Sequence, residues 1–265
     1  MTDFPRDPHT AGKPLVSIIT PAYQAGRHLS ETIDSVRTQT FANLEHIIVD
    51  DGSRDRTPEI IAAAAAADGR VRSARTARNG GVAAARNVGL ELARGELICF
   101  LDADDRWLPD KLDRQVAFMQ ENDVDFSYMD YLRTGELGDR LGIVRPPNRV
   151  DLTGLLKSNV VGNLTAMVRR SAVGDARFLP IGHEDYAFWL LVIRRAGVAH
   201  RVPTDEPLCL YRTSSYSLSA NKLRAAAWQW RIYRDVARLG IMHSSWLFSN
   251  YLVRGLSKRT PYLNK

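Results

Sequence analysis

Three carboxylates, Asp102, Asp104 and Asp105, follow directly on the apolar run Leu97-Ile98-Cys99-Phe100-Leu101. A run of that length, with β-branched and aromatic members, reads as a buried strand. Carboxylates are not stable in a core unless something neutralises them. At the carboxyl end of a strand in an open α/β sheet, however, they stand where ligands bind. Asp102 and Asp104 are two apart, so on an extended chain they project to one side. Such a pair suits a hard divalent cation, and Mg²⁺ held this way is usually shared with substrate phosphates. For an isolated Asp-x-Asp the plain alternative is a solvated turn capping a helix from Pro109, so the rest of the chain must decide.

A second acidic strand end supplies context. Glu45-His46-Ile47-Ile48-Val49 reads as a strand that stops at Asp50-Asp51-Gly52-Ser53. In a parallel sheet both acidic ends face one edge and can converge on one ligand. There a carboxylate can accept from a base N–H or a ribose hydroxyl, and another can hold a cation that screens a diphosphate. The first strand is not followed by Gly-x-Gly-x-x-Gly, and no phosphate-loop lysine motif occurs, so neither of those nucleotide signatures applies.

The elements that must position these acids alternate in type. Leu15 to Thr20 is the first strand, broken by Pro21-Ala22-Tyr23-Gln24-Ala25-Gly26. A helix through Thr38 follows, with Leu29, Ile33 and Val36 on one face. Thr57-Pro58-Glu59 opens the next helix with a cap oxygen, a first-turn proline and an acid near the positive end. The alanine run 62–67 continues it through helix propensity alone. Val71 lies in a short strand, Asn79-Gly80-Gly81 is a turn, and Val82 to Ala93 is a helix closed by Gly95 as a C-terminal cap. This rhythm predicts right-handed βαβ units and a mainly parallel central sheet flanked by helices. Further on, Pro109 to Gln120 is expected to be helical, Asp125 to Arg133 a strand, Gly135 to Arg149 a loop or hairpin, and Asn163 to Arg169 a strand. Glu184-Asp185 opens an amphipathic helix through Ala196, and Pro207 to Arg212 is the last strand.

Of the 265 residues 45% are hydrophobic and 25% charged, ordinary for a globular chain. The net charge of +6 favours anionic partners such as phosphorylated substrates or a membrane surface. Nothing matches a nucleic-acid-binding module, so no nucleic-acid partner is expected. Cys99 and Cys209 lack paired spacing, which suits a reduced, cytoplasmic setting. Met1 to Lys13 is polar, without an apolar signal core. No apolar run approaches the ~18 residues that cross a bilayer.

Four motifs occur in order: Val16-Ser17-Ile18-Ile19-Thr20-Pro21-Ala22-Tyr23; Ile48-Val49-Asp50-Asp51-Gly52-Ser53; Asn79-Gly80-Gly81 with Ala85-Arg86-Asn87; and Leu101-Asp102-Ala103-Asp104-Asp105. Together they resemble family 2 glycosyltransferases of the GT-A fold, over roughly residues 15–220. The resemblance implies sugar transfer with inversion from a nucleotide-diphosphate donor, with uridine the expected base and Mg²⁺ or Mn²⁺ the expected cofactor. It places Pro21, Tyr23 and Asp51 around the nucleoside, with Asn79 and Arg86 flanking it. It gives Asp102 to the ribose and Asp104 to the metal, with Asp102 or Asp105 nearby. An inverting transfer needs a carboxylate that deprotonates the acceptor hydroxyl. Acids also favour a helix N-terminus for electrostatic reasons alone. The family pattern of an acidic pair with a tryptophan four residues on is met by Asp185 and Trp189. On that match Asp185 is the general base and Glu184 its supporting neighbour; His183 is given no role. Tyr211-Arg212-Thr213-Ser214-Ser215 resembles the family's segment after the last strand. Many members carry a histidine where this chain has Ser214, which removes an expected protein ligand for the metal. Arg212 is left between a surface role and a contact with diphosphate.

The expected organisation is a mobile leader at 1–14, a GT-A catalytic domain at 15–220 divided near residue 105 into nucleotide-binding and acceptor halves, and a basic, aromatic helical tail at 221–265. The tail resembles that of teichuronic-acid-type enzymes, whose acceptors are often lipid-linked. An aromatic face with Lys and Arg fits an interfacial helix on the inner membrane. Packing on the catalytic domain or on a sister subunit in a homo-oligomer fits equally. Two rivals remain at this point: a nucleotidyltransferase, which should show a Gly- and Lys/Arg-rich loop where Pro21 to Gly26 stands, and a non-catalytic nucleotide-sugar-binding subunit.

Overall fold

The computed structural model describes residues 13–213 and 222–257. The first half alternates strand and helix: β1 (Val16–Ala22), α1 (Leu29–Arg37), β2 (Leu44–Asp50), α2 (Thr57–Ala67), β3 (Val71–Arg75), α3 (Val82–Leu92) and β4 (Leu97–Phe100). β1, β2 and β4 are buried at every position, as expected of strands covered by helices on both faces. After them come β5 (Arg106–Trp107), α4 (Lys111–Glu121), β6 (Phe126–Tyr128), β7 (Tyr131–Thr134), β8 (Arg140–Val144), β9 (Arg149–Asp151), α5 (Leu152–Lys157), β10 (Met167–Arg169), α6 (Arg170–Val173), α7 (Glu184–Ala196), β11 (Val198–Arg201) and β12 (Cys209–Arg212). The tail forms α8 (Lys222–Arg231), a π-helical segment (Ile232–Val236) and α9 (Ile241–Ser257).

An eight-stranded sheet runs in the order β3-β2-β1-β4-β10-β6-β11-β9, and a smaller four-stranded sheet in the order β5-β12-β7-β8. Strands β3, β2, β1 and β4 are mutually parallel. β10 then lies antiparallel to both β4 and β6, so the parallel character belongs to the nucleotide half and the remainder is mixed. One core layer packs Ile19, Ile47, Phe100, Phe126 and Trp189 with the tail residues Ile232, Tyr233, Val236 and Leu247. The opposite face packs Ile18, Val36, Cys99, Trp107, Leu112 and Met167. Both cysteines are free and buried.

The structure corrects several expectations. The stretch 125–133 is two strands in two sheets, split where the buried Asp130 takes ion pairs from Arg201 at 2.9 Å and Arg145 at 3.3 Å. Residues 163–165 are a 3₁₀ turn, so only 167–169 of the expected strand pairs. Thr57 does not cap its helix, because its hydroxyl accepts from the Ala25 N–H at 2.8 Å. Gly95 is not a left-handed cap either. It is small because a Cβ there would lie 2.6 Å from the Ser17 backbone nitrogen. The leader falls, except for Lys13 and Pro14, outside the described residues, as do Ser214 and the serine-rich stretch after it.

Candidate active site

Because β1, β2 and β4 are parallel, their carboxyl ends deliver Pro21, Asp51 and Asp102 to one edge of the sheet. Pro21 is buried within β1, while the next exposed side chain, Tyr23, keeps half its surface open. A half-open aromatic ring beside a buried proline can stack on a flat ring system.

Asp51 is 2% exposed. It accepts from the backbone N–H of Gly80 at 3.0 Å and of Gly81 at 2.7 Å, and from the Thr76 hydroxyl at 2.7 Å. These N–H groups open α3, whose positive end favours a carboxylate. Gly52, at φ +76°, makes the approach possible, since a Cβ there would come within 3.1 Å of the Arg78–Asn79 backbone. The Asn79 side-chain oxygen accepts from the Gly81 N–H at 2.9 Å. Asp51 and Asn79 thus fasten the turn that opens α3 at this edge of the sheet.

Residues 102–105 form a tight turn, closed by the Asp105 N–H on the Asp102 carbonyl at 3.1 Å. The strand-alternation argument for a shared side therefore does not apply; the turn itself crowds the carboxylates. Burial, then the charge of Asp102, pushes the Asp104 carboxyl up to about 6. Asp105 is raised well above its usual range, first by burial and then by Asp104 and Asp102. It is 1% exposed and accepts from the Arg212 N–H at 2.9 Å. This burial sets Asp105 apart from the more exposed Asp102 and Asp104. Among the described residues no group of three His, Cys, Asp or Glu side chains could hold a metal ion. Asp104 with the partly exposed Asp102 still fits Mg²⁺ or Mn²⁺, because such an ion commonly takes only one or two carboxylates and completes its shell from phosphates and water.

The Arg86 guanidinium is buried beside the acids. It donates to Asp102 at 2.6 Å, lies 3.7 Å from Glu184 and sits over the Phe178 ring at 5.2 Å. Burial works against its charge, but Asp102 outweighs that and raises its pKa. Through Arg86 the strand-end acids and the acids that open α7 become neighbours. Among the described residues the side chain of Asp185 has a single long contact, from Asn159 Nδ2 at 3.4 Å. Trp189, four residues on, is fully buried against Phe100, Phe126 and Phe188 and fixes α7 on the sheet. Arg212 is neither a surface residue nor free for a diphosphate. It is buried, pairs with Glu31 at 2.7 Å and donates to the Asp104 and Glu136 carbonyls.

Two tyrosines that sequence reasoning missed stand in the same field. Tyr211 and Tyr131 meet edge to face at 5.9 Å. Burial first, then Asp105, Asp102 and Asp104, pushes Tyr211 up to about 12. Tyr131 is raised first by burial, with smaller contributions from the charges of Asp105 and Asp185. Their signal, an aromatic alternating within β7 and β12, is shared by many ordinary strands. Two cavities of about 370 and 280 Å³ open elsewhere, the first around Arg149, Lys157 and Val160 and the second around Asn122, Asp125 and His200. Neither is lined by the carboxylates above.

The family model for glycosyl transferase family 2 matches residues 17–173. The chain belongs to this family. It is 36% identical over 252 residues, 94% of its length and 99% of the other, to the putative teichuronic acid biosynthesis glycosyltransferase TuaG of Bacillus subtilis. It is 32% identical over 247 residues, 92% of its length and 94% of the other, to the Escherichia coli UDP-Glc:alpha-D-GlcNAc-diphosphoundecaprenol beta-1,3-glucosyltransferase WfgD. The S. aureus TarS fragment 1–349 in complex with UDP-GlcNAc superposes with a TM-score of 0.70 at 21% identity, covering 91% of this chain and 72% of that one. The fold is that of GT-A glycosyltransferases. Family membership makes the chain a glycosyltransferase and removes the nucleotidyltransferase and binding-subunit readings.

Proposed function

We propose that this glycosyltransferase moves a sugar, with inversion, from a UDP-sugar to a hydroxyl of a saccharide or lipid-linked acceptor during cell-envelope polysaccharide synthesis. The observation that carries this reading is Arg86, which binds Asp102 and reaches Glu184 and so joins the strand-end acids to the acids of α7. Support for the donor and the acceptor class comes from the relatives, one of them a glucosyltransferase named for UDP-Glc and a diphosphoundecaprenol-linked acceptor.

In this reading Pro21, Tyr23, Asp51 and Asn79 frame the nucleoside and Asp102 meets the ribose. A divalent cation held by Asp104, with Asp102 beside it, would set positive charge against the diphosphate. Asp185 takes the proton of the acceptor hydroxyl as its oxygen attacks the anomeric carbon from the face opposite the donor phosphate. The bond from that carbon to the phosphate oxygen breaks, and its electron pair leaves with the diphosphate. Asp185 suits the task because, among the described residues, only one long contact holds its carboxylate. Arg86 sets its positive charge against Asp102 at 2.6 Å and Glu184 at 3.7 Å.

The tail extends the reading to location. At the start of α9, Ile241, Met242 and Trp246 are 64%, 85% and 55% exposed, beside the exposed Arg231, Arg234 and Arg238 and a single exposed acid, Asp235. An apolar edge next to arginines complements an anionic lipid surface. This supports a peripheral seat on the cytoplasmic face of the membrane. Among the described residues no helix is long and apolar enough to cross one.

The deciding experiment pairs UDP-sugars with lipid-linked acceptors and compares the natural chain with Asp185→Asn. The variant should bind UDP normally and lose about 10²- to 10⁴-fold in turnover. Turnover surviving at saturation, with donor affinity lost instead, would overturn the assignment of the base.

A further inference from the structure

The acids that open α7 follow a backbone with an unusual shape. His183, directly before Glu184, has φ +47° and ψ +41°, a left-handed conformation that non-glycine residues rarely hold. Gly182 before it is also left-handed, at φ +72°. Such a pair persists only where the surroundings enforce it. Here they come from the tail helix α8. The Trp228 indole covers Gly182 so closely that a Cβ would lie 2.2 Å from its Cδ2 and 2.3 Å from its Cε2. The same indole meets the His183 ring edge to face at 5.3 Å and 86°.

The next residue of α8 grips the other side of the acids. Gln229 Nε2 lies 3.5 Å from the Tyr186 hydroxyl, which donates to the carbonyls of Leu155 and Leu156. The π-helical segment adds the Tyr233 hydroxyl on the Leu156 carbonyl at 3.0 Å. Residues 182, 183 and 186 are thus all held by the tail, while the Asp185 carboxylate between them has, among the described residues, one contact at 3.4 Å. Its direction is set by the backbone that carries it.

We infer that Trp228 is a positioning residue for transfer: by closing over Gly182 and His183 it fixes the left-handed entry to α7 and so aims Asp185 at the acceptor hydroxyl. The inference rests on Asp185 being the base. It gives the C-terminal segment a part in the reaction that the donor-side motifs do not contain. A small error in the aim of a general base is enough to lower turnover substantially while donor contacts made by other elements are untouched.

The test compares Trp228→Ala, Trp228→Phe, His183→Gly and Asp185→Asn in the full chain. It measures turnover of the donor–acceptor pair active with the natural chain, release of UDP to water as acceptor, UDP affinity with Mn²⁺, and melting temperature. Trp228→Ala should lower kcat roughly tenfold or more with UDP affinity unchanged, and Trp228→Phe, which keeps an aromatic edge, should recover most of the loss. His183→Gly keeps the left-handed backbone without strain but removes the ring contact, so it should also lose kcat. Should Trp228→Ala unfold, His183→Gly alone decides, and full turnover in it overturns the inference. Normal kcat in a folded Trp228→Ala does the same, and so does a kcat loss matched by lost UDP affinity. If these variants are active while Asp185→Asn is dead, the positioning role fails and the base stands. If Asp185→Asn itself turns over normally, the reading of the base fails first.

Discussion

Arg86 shows how one side chain can tie two acidic groups from different elements together. Its guanidinium is buried, one edge on Asp102 and another facing Glu184. Removing it leaves Asp102 and Glu184 without their shared cation, and Asp102 stands beside Asp104, which burial and Asp102 already push up to about 6. Arg86→Met keeps the volume and deletes the charge. Breaking a buried pair costs about 3–5 kcal/mol, and the partial exposure of Asp102 reduces this to roughly 2. The expected outcome is a lower urea midpoint together with lost transfer, read by denaturant titration and a turnover assay. The residue types at the site were legible, since acids at strand ends and an acidic pair opening a helix are sequence features. The partners were not. Nothing near Arg86 in the sequence shows that it faces Asp102 across a helix–strand gap, nor near Arg212 that Glu31 will take its charge. Asp105 looks like its neighbours in the sequence, and only the turn geometry shuts it away.

At the scale of elements, β1 and β2 hold a buried histidine between them. His46 is 1% exposed, and its Nε2 lies 2.9 Å from the Thr20 hydroxyl. Burial pushes its pKa down to about 3. Below the unfolded value of about 6.5 the unfolded chain takes a proton that the folded chain refuses, so stability is full above that pH and falls on acidification until about 3. From pH 6.5 to 5 the loss from this group is about 2 kcal/mol. The raised carboxyls of Asp104 and Asp105 act in the opposite sense, because the folded state keeps their protons longer. The difference between the natural chain and His46→Gln isolates the histidine. Urea midpoints should converge for the two chains as pH falls from 7 to 5, and parallel curves would refute the assignment. Strand and helix order in this half was legible because fully covered strands are continuous apolar runs. The second half was less so. Its strands are two to five residues long, too short for a period to register, and the split at Asp130 answers to arginines brought in from elsewhere. Gly95 and Thr57 were misread because their partners, Ser17 and Ala25, belong to other elements.

At the scale of the molecule the tail has two faces. Its inner face completes the core through Ile232, Tyr233, Val236 and Leu247, so one expectation drawn from the sequence, packing on the catalytic domain, is met among the described residues. Its outer edge carries the exposed Ile241, Met242 and Trp246 near three arginines. Full burial of one large apolar side chain is worth about 1.5–3 kcal/mol, and each nearby arginine adds about 1 kcal/mol toward an anionic surface. Met242→Asp combined with Trp246→Asp should therefore reduce binding to phosphatidylglycerol-rich vesicles by at least about tenfold, with melting temperature unchanged. Co-sedimentation checks this, and an unaltered pellet fraction would refute it. The sequence showed that the tail is basic and aromatic. It could not show which aromatics face inward, because that depends on where α5 and α7 stand.

The two cysteines lend themselves to a practical use. Cys99 and Cys209 are the chain's full complement and both are shut inside the protein. A maleimide should therefore leave the folded natural chain unlabelled. With Met242→Cys it should attach at that one position. A polarity-sensitive dye placed there would report, in a cuvette and without any turnover, whether that helix edge enters an oily phase.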